Sequence, residues 1–354
     1  MVFAISSPIK SPKSAKLPRI FGTYYANKKW VVFYGLLLQC FLRTVLEKRM
    51  SDHTITKTMS PLVWTMLIVL SVLWGGTFFF QGVAVQELPT FTVVVVRVGI
   101  AALVLWLMLS LLKVQMPMTA VAWKAFLGMA ILNNVIPFTL IVWGQSHIAS
   151  GLASIFNSMM PVFTIVIAHF LTVDEKMTPF KVSGVVLGLI GVVVLIGGDV
   201  LDGLGVNLFA QLAILGAGIS YGFASVWGRR FSKMGIKPMA SATGQLTAST
   251  VVLLPVMLLV DQPWTLAMPS QFTVLSLIAL AVFSTAIAYV LVFNIIARAG
   301  ATNLSLVTFL IPPSAILLGI WFLNESLEIK HIIGMLFIGL ALVVIDGRLF
   351  RRAK

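Results

Sequence analysis

Long apolar runs separated by short polar connections occupy the chain from residue 62 onward. Most of these runs reach the roughly 17–25 residues that an α-helix needs to cross a bilayer. Polar residues within them recur at spacings of three and four, which places them on one helical face. The pattern predicts an all-α integral membrane protein with ten transmembrane helices, near residues 62–85, 91–112, 126–143, 149–173, 182–198, 208–227, 239–260, 272–296, 304–323 and 329–345.

Residues 149–196 and 301–345 share one arrangement. Each stretch begins with small and polar residues, meets a proline in mid-segment, leaves the apolar run at an acidic turn and enters a second apolar run through a glycine. Internal self-similarity of this kind indicates a duplicated structural unit. The paired positions are Ser154 and Ser305, Asn157 and Thr308, Pro161 and Pro312, Glu175 and Glu325, and Gly184 and Gly334.

Five helices in each unit imply that the two units cross the membrane in opposite directions, because five is an odd number. We therefore predict two inverted five-helix repeats, an architecture common among secondary transporters, with a substrate site near the membrane midplane where the halves meet. The repeats are expected at residues 62–198 and 208–346. A basic extension, 1–61, precedes them and a basic tail, 347–354, follows.

Composition and charge agree with a membrane protein. The chain is 59% apolar and only 10% charged, whereas soluble proteins carry about a quarter charged residues. A net charge of +14 would also suit a nucleic-acid partner, but the basic residues concentrate before residue 62 and in short connections. If the amino terminus is cytoplasmic, every Lys and Arg except Arg97 and Lys330 falls on the cytoplasmic side. This follows the positive-inside rule, so we expect both termini in the cytoplasm, lipid contact and no nucleic-acid partner.

The first 61 residues differ from the rest of the chain. Their single apolar run, 30–42, has about 13 residues and is too short to cross a bilayer. Three interpretations stay open: an interfacial basic helix, a disordered tail, or upstream sequence that is not normally translated, with Met50 or Met59 as the start. The sequence assigns no function to this region.

Polar side chains lie near the middle of several predicted helices, where they are costly unless they face the bundle interior or a wet cavity. Helix–helix hydrogen bonding is the alternative interpretation for each single Ser or Thr. Pro137 lies one turn after the Asn133-Asn134 pair and frees a backbone carbonyl, which needs a partner or water. The candidate cavity residues are Trp74, Thr77, Asn133, Asn134, Ser154, Asn157, Tyr221, Ser225, Tyr289, Ser305 and Thr308.

Two aromatic residues precede glycines at corresponding places of the two halves, Trp74 before Gly75 and Tyr221 before Gly222. An aromatic ring beside a glycine provides a flat wall and lets a neighbouring backbone approach. Substrate lining and core packing both remain open for these pairs. The candidate structural or gating residues are Gly75, Arg97, Pro137, Pro161, Glu175, Gly222, Pro312 and Glu325.

Arg97 lies about seven residues into its predicted helix, too deep for its charge to reach the interface easily. It either binds a substrate carboxylate or is neutralised by helix carbonyl ends or by a carboxylate such as Glu325. We favour the structural role, because no second buried charge indicates an ion path.

The predicted helices lack the residues on which proton coupling, ATP hydrolysis and enzymatic catalysis normally depend. No Asp or Glu lies in the middle of a predicted helix, and only His169 lies within one, near its cytoplasmic end. Proton-coupled carriers usually keep such a group at depth, so we expect weak or absent proton coupling. No nucleotide, metal or hydrolase motif is present. The sequence therefore argues against an enzyme, an ATP-driven pump and a bound metal or other cofactor.

These residues resemble the drug/metabolite transporter superfamily, in particular its EamA-type ten-helix members. The likeness rests on the segment Leu73-Trp74-Gly75-Gly76-Thr77-Phe78, on Arg97 and on the doubled Pro–Glu–Gly pattern, and it covers residues 62–345. The resemblance implies a bacterial inner-membrane carrier with two five-helix halves around a central cavity that takes a small-molecule substrate.

We expect a secondary transporter that works by alternating access and exports amino acids or related compounds. Alternatives are a nucleoside or drug efflux carrier of the same fold, a non-transporting membrane scaffold, and a membrane-embedded enzyme. Whether the protein is a monomer or a homodimer stays open.

Overall fold

A computed structural model describes residues 60–173, 175–196, 206–299, 301–304 and 306–346. Within these ranges every regular element is helical, as predicted. Eight helices are long and apolar enough to cross a membrane. They are α1 (Pro61–Ala84), α2 (Thr90–Leu111), α3 (Ala120–Gln145), α4 (Ser150–Leu171), α5 (Pro179–Ile196), α6 (Val206–Lys233), α7 (Pro238–Asp261) and α8 (Gln271–Ile296).

Two shorter apolar helices follow in the last part of the described chain. They are α9 (Val307–Leu323), which comes after a single turn at Ala301–Leu304, and α10 (Ile329–Ile345). The sequence predicts ten membrane-crossing helices. Among the described residues, the structure has eight helices of membrane length and two shorter apolar helices. Of the sequence predictions, most of the extension 1–61, the tail 347–354 and Ser305 lie outside the described residues.

Several helix boundaries depend on local capping and not on hydropathy. The side-chain oxygen of Ser60 accepts the N–H of Val63 and so starts α1, and Thr119 caps α3 in the same way. The cap at Thr119 begins α3 six residues before the predicted start. Helix α6 runs beyond its predicted end because Arg and Lys are good helix formers that tolerate the polar end of a span.

Three of the long helices contain widened, π-helical turns. These are Ile131–Val135 in α3, Met257–Asp261 at the end of α7 and Val282–Ile287 in α8. In α3 the widening precedes Pro137, whose ring cannot accept the normal helical spacing to the carbonyl one turn earlier. Such turns occur frequently at functional sites, and two of these contain the polar residues of α3 and α8.

The predicted helix over 149–173 is interrupted. It consists of Ser150–Asn157 and Met160–Leu171, separated by Ser158 and Met159. Pro161 lies in the first turn of the second segment, where its missing N–H costs no hydrogen bond. The sequence signal for this break was the proline itself.

The helices pack in a regular set of neighbours. Helix α1 contacts α9 and α8, while α6 contacts α4 and α3. In addition α2 packs on α7, α4 on α9, and α5 on α10. Close contacts between α1 and α9 require a glycine, because a Cβ at Gly75 would lie 2.9 Å from the backbone nitrogen of Ala315 and would collide with Ser314.

Candidate functional site

The π-helical turn of α3 directs two amide side chains toward α7 and α8. The Nδ2 of Asn133 donates to Oε1 of Gln245 at 3.0 Å and to the hydroxyl of Tyr289 at 3.3 Å. The Nδ2 of Asn134 donates to the hydroxyl of Ser249 at 3.0 Å. These bonds join three helices that are far apart in the sequence. We refer to the five residues as the amide cluster.

Arg97 of α2 lies next to this cluster and is 6% exposed. Its Nε donates to the hydroxyl of Thr285 in the π-helical turn of α8, at 3.1 Å. The guanidinium carbon lies 3.8 Å from the ring centroid of Phe138, in the geometry of a cation–π contact. Tyr221 and Tyr289 are within electrostatic range of the charge. The arrangement therefore holds a buried cation beside neutral hydrogen-bonding groups from both halves of the chain.

Glu325 is not the counter-charge of Arg97. Its two carboxylate oxygens accept the backbone N–H groups of Ser150 and Gly151, at 2.6 and 2.9 Å, and so cap the amino terminus of α4. Within the described chain no carboxylate forms an ion pair with Arg97. A buried charge without such a partner is costly, and here the hydroxyl of Thr285 and the ring of Phe138 contact the guanidinium group.

The amide cluster keeps some accessible surface. Asn133 and Tyr289 are half-buried and hydrogen-bonded to each other. Half-buried Tyr221 lies within electrostatic range of Tyr289 and Arg97. Polar groups with accessible surface at this place can bind water or a ligand. Of the predicted cavity residues, Asn133, Asn134, Tyr221 and Tyr289 are thus brought together with Arg97.

Other predicted cavity residues lie away from these contacts. Thr77 is buried, and among the described residues its hydroxyl has no hydrogen-bond partner, like the amide of Gln81 one turn later. The side-chain oxygen of Asn157 also has no partner in this part of the chain. Trp74 is half-buried and Thr308 is buried. Buried polar atoms such as those of Thr77, Gln81 and Asn157 are normally hydrogen-bonded to water or to a ligand.

Two predicted cavity residues bind their own helices. The hydroxyl of fully buried Ser154 donates to the carbonyl of Gly151, and that of Ser225 donates to the carbonyl of Gly222. Gly222 itself packs against Phe163. These are bonds within helices and packing contacts, and they bring neither serine to Arg97.

The remaining structural candidates occupy different places. Glu175 forms an ion pair with Arg229 at 2.6 Å, and both side chains are partly exposed at a helix end. Pro137 follows the widened turn of α3, and Pro312 lies inside α9. Glu175 and Glu325 therefore make different contacts, although both belong to the acidic turns that the sequence repeat pairs; counted from the prolines, Glu325 corresponds to Asp174.

Three residues near Arg97 and the amide groups were not among the candidates predicted from the sequence: Gln245, Ser249 and Thr285. Gln245 and Thr285 were visible as polar positions in the middle of apolar helices, and Ser249 follows Gln245 at a spacing of four, on the same helical face. That spacing was the available signal for Ser249. Their partners on α2 and α3 became visible only through the packing of the helices.

Two further carboxylates connect the ends of distant helices. Asp261 accepts the N–H and the hydroxyl of Thr92 through one oxygen, at 2.6 and 2.8 Å, at the start of α2. Glu87 accepts the N–H and the hydroxyl of Ser270 through separate oxygens, both at 2.6 Å, before α8. The connection after α1 therefore caps α8, and the end of α7 caps α2. The contact between the start of α4 and Gly82 near the end of α1 places the Glu325 cap at this same end.

Hydrogen bonding changes the pKa of the Glu87 carboxyl. Partial burial alone would raise the pKa, but the hydroxyl and N–H of Ser270, with Thr273, lower it below its ordinary value of 4.5. These bonds favour the ionised form, since they are donated to a carboxylate. The cap is therefore charged at neutral pH and complements the positive end of α8.

The sequence of the chain matches a known protein family and several of its relatives. The model of the EamA-like transporter family matches residues 62–197 and 208–346. The uncharacterized transporter YoaV of Bacillus subtilis is 29% identical, over 78% of this chain and 94% of the relative. The uncharacterized inner membrane transporter YedA of Escherichia coli K12 is 27% identical, over 80% and 91%. Protein PecM of Dickeya dadantii is 28% identical, over 79% and 91%.

A solved structure has the same fold. A crystal structure that shares 18% sequence identity superposes with a TM-score of 0.60 and covers 82% of this chain and 98% of its own. At this identity the likeness shows the fold alone.

Proposed function

Since the chain belongs to the EamA-like transporter family, and is thus a multi-pass membrane protein of a transporter family with two EamA repeats, we propose that it exports a small metabolite with a carboxylate group. Amino acids and related compounds are the first candidates. The transport cycle is alternating access between two inverted five-helix repeats, with both termini in the cytoplasm and the protein in a bacterial inner membrane. The repeats are proposed at residues 62–198 and 208–346.

The helix contacts support the inverted-repeat part of this proposal. Each helix of the first half has a counterpart five positions later, so that α1 corresponds to α6 and α5 to α10. When every helix is exchanged for its counterpart, the α1–α9 contact becomes the α6–α4 contact, and the α3–α6 contact becomes the α8–α1 contact. The contacts α2–α7, α4–α9 and α5–α10 convert into themselves. A set of contacts that is unchanged by this exchange is expected for two related halves on a pseudo-two-fold axis.

The buried charge of Arg97 supports the carboxylate part. It has no carboxylate partner within the described chain, and a bound anion would supply the missing charge while keeping the guanidinium–Thr285 bond. The amide and hydroxyl groups of Asn133, Gln245 and Tyr289 can bind other polar groups of the same molecule. The proposal rests on one observation: the buried guanidinium of Arg97 has no carboxylate partner within the described chain.

The carboxylate caps give the conformational part a physical basis. Glu87, Asp261 and Glu325 connect helices at one end of the protein, which the positive-inside rule places outside the cell. Alternating access requires that this end open and close around the site near Arg97. Charge-assisted hydrogen bonds of this kind close it, and their separation opens it.

The test is counterflow in proteoliposomes with a panel of amino acids and their amide analogues, which lack the carboxylate. We expect flux of at least one carboxylate compound above empty vesicles, no dependence on an imposed pH gradient, and a loss of at least tenfold in Arg97→Gln. Lys233→Gln, which removes an exposed charge at the end of α6, is the matched control and is expected to transport normally. Equal transport of acids and amides would contradict the proposal, and flux of an uncharged nucleoside independent of Arg97 would favour the efflux-carrier alternative.

A further inference from the structure

A half-open cavity lies at the end of the protein that carries the carboxylate caps. Its volume is about 370 Å³, and it is lined by the connection after α1, the start of α2, the last turns of α3 and the end of α7. Its walls include the rings of Phe91 and Trp143, the hydroxyl residues Thr139 and Ser146, and the carboxylate of Asp261. The cavity is separate from the amide cluster.

Asp261 uses only part of its carboxylate to cap α2. Both bonds from Thr92 reach the same oxygen, Oδ2, and within the described residues no hydrogen bond reaches Oδ1. Glu87, in the matching cap, has both oxygens bound by Ser270. Asp261 therefore lines the cavity with a carboxylate oxygen that can still accept a hydrogen bond.

Another residue that lines the cavity, Thr139, has a polar atom without a partner in the described chain. The hydroxyl oxygen of Thr139 is buried and has no partner among the described residues. Aromatic faces beside a carboxylate are the surroundings that bind an ammonium group, because the ring faces and the carboxylate both attract positive charge. Trp143 and Phe91 supply the rings, Asp261 the charge and Thr139 a further hydrogen-bonding group.

We propose that this cavity is a binding site for an ammonium group, distinct from the anion site at Arg97. Thr92, which Asp261 caps, precedes Arg97 by five residues, which corresponds to about 7.5 Å of rise along the axis of α2. The proposal does not depend on which substrate Arg97 binds. The ammonium group can come from a free organic amine or from the headgroup of phosphatidylethanolamine, and the experiment distinguishes these sources.

The experiment measures the binding of phenethylammonium to the full chain in nanodiscs of phosphatidylglycerol, with 2-phenylethanol as the uncharged analogue. We expect saturable binding of the amine and at least tenfold weaker binding of the alcohol. Asp261→Asn is expected to weaken amine binding at least tenfold, and Trp143→Leu several-fold. Glu328→Gln, which changes an exposed carboxylate between α9 and α10 that neither lines the cavity nor belongs to the carboxylate caps, is the matched control at the same end and is expected to bind the amine like the wild type.

A second variant covers the possibility that Asp261→Asn alters the fold by weakening the cap on α2. Thr139→Val leaves that cap intact and is expected to weaken the amine several-fold at an unchanged melting temperature. The proposal is overturned if both variants bind the amine like the wild type, or if Glu328→Gln weakens binding as much as Asp261→Asn does.

The source of the ammonium group follows from a second set of nanodiscs that contain phosphatidylethanolamine. If wild-type protein binds the free amine more weakly in the discs with phosphatidylethanolamine, and Asp261→Asn binds it equally in both kinds of disc, the lipid headgroup is the occupant. Unchanged binding identifies a free organic cation. Absence of saturable amine binding in the phosphatidylglycerol discs, together with no preference for phosphatidylethanolamine, overturns the site itself.

Discussion

The Nε of Arg97 donates to the hydroxyl oxygen of Thr285, 188 residues later in the sequence, at 3.1 Å. The same hydroxyl donates to the carbonyl of Leu280, at 2.9 Å, so its lone pair is directed toward the guanidinium. The π-helical turn of α8 makes this second bond possible, because it spans five residues. A widened turn in the second half thus orients the buried charge of the first half.

Thr285→Val should reduce transport because it removes the acceptor for Arg97 without changing the size of the side chain. We expect a roughly tenfold higher KM for a carboxylate substrate, since a loss of one hydrogen bond to a charged group costs about 1.5 kcal/mol. Thr285→Ser keeps the hydroxyl and should transport like the wild type. Counterflow at varied substrate concentration measures the effect, and an equal loss in both variants would show a general packing defect instead.

Glu87→Gln should change how stability depends on pH. The folded protein lowers the pKa of the Glu87 carboxyl below 4.5, so the carboxylate stabilises the fold above that ordinary value and the contribution disappears as the pH falls through the lowered pKa. Because Glu87 is exposed, the difference in melting temperature from the variant should be no more than about 2 °C at pH 7. Melting curves between pH 3.5 and 7 should converge at the acidic end; parallel curves would contradict the assignment.

Gly75→Ala should destabilise the protein by about 1–3 kcal/mol, the usual cost of overpacking. The added methyl group would lie 2.9 Å from the backbone nitrogen of Ala315 and would collide with Ser314, forcing α1 and α9 apart. Gly339→Ala is the matched control, because nothing lies within 4 Å of a Cβ at that position. Thermal unfolding in detergent measures both variants, and similar melting temperatures would show that α1 and α9 separate without cost.

The helical character of the chain and part of the site could be predicted from the sequence. Apolar runs of membrane length give helices almost irrespective of their neighbours, because the backbone must bond internally in lipid. Asn133, Asn134 and Tyr289 could be selected as costly polar residues for the same reason. Their partners could not be selected, since the rotation of each helix about its axis is set by packing with helices far away in the sequence.

The widened turns are a second reason why the prediction was incomplete. A π-helical turn adds one residue, which rotates everything after it by about 100° relative to a regular helix. Spacings of three and four therefore fail to predict faces across Ile131–Val135 and Val282–Ile287. The sequence repeat also fails to predict the contacts of paired residues. It pairs Glu325 with the acidic turn that contains Glu175, but Glu325 caps Ser150 because α9 packs on α4.

Membrane orientation can be tested with two exposed positions at opposite ends of the protein. Met268 lies between α7 and α8 and is 93% exposed, and Val173 lies between α4 and α5 and is 91% exposed. The positive-inside rule places the first outside and the second in the cytoplasm. In a Cys40→Ser background, a membrane-impermeant maleimide should label Met268→Cys in intact cells but Val173→Cys only after permeabilisation. The reverse pattern would place the carboxylate caps and the ammonium site on the cytoplasmic side and would invert the proposed direction of opening.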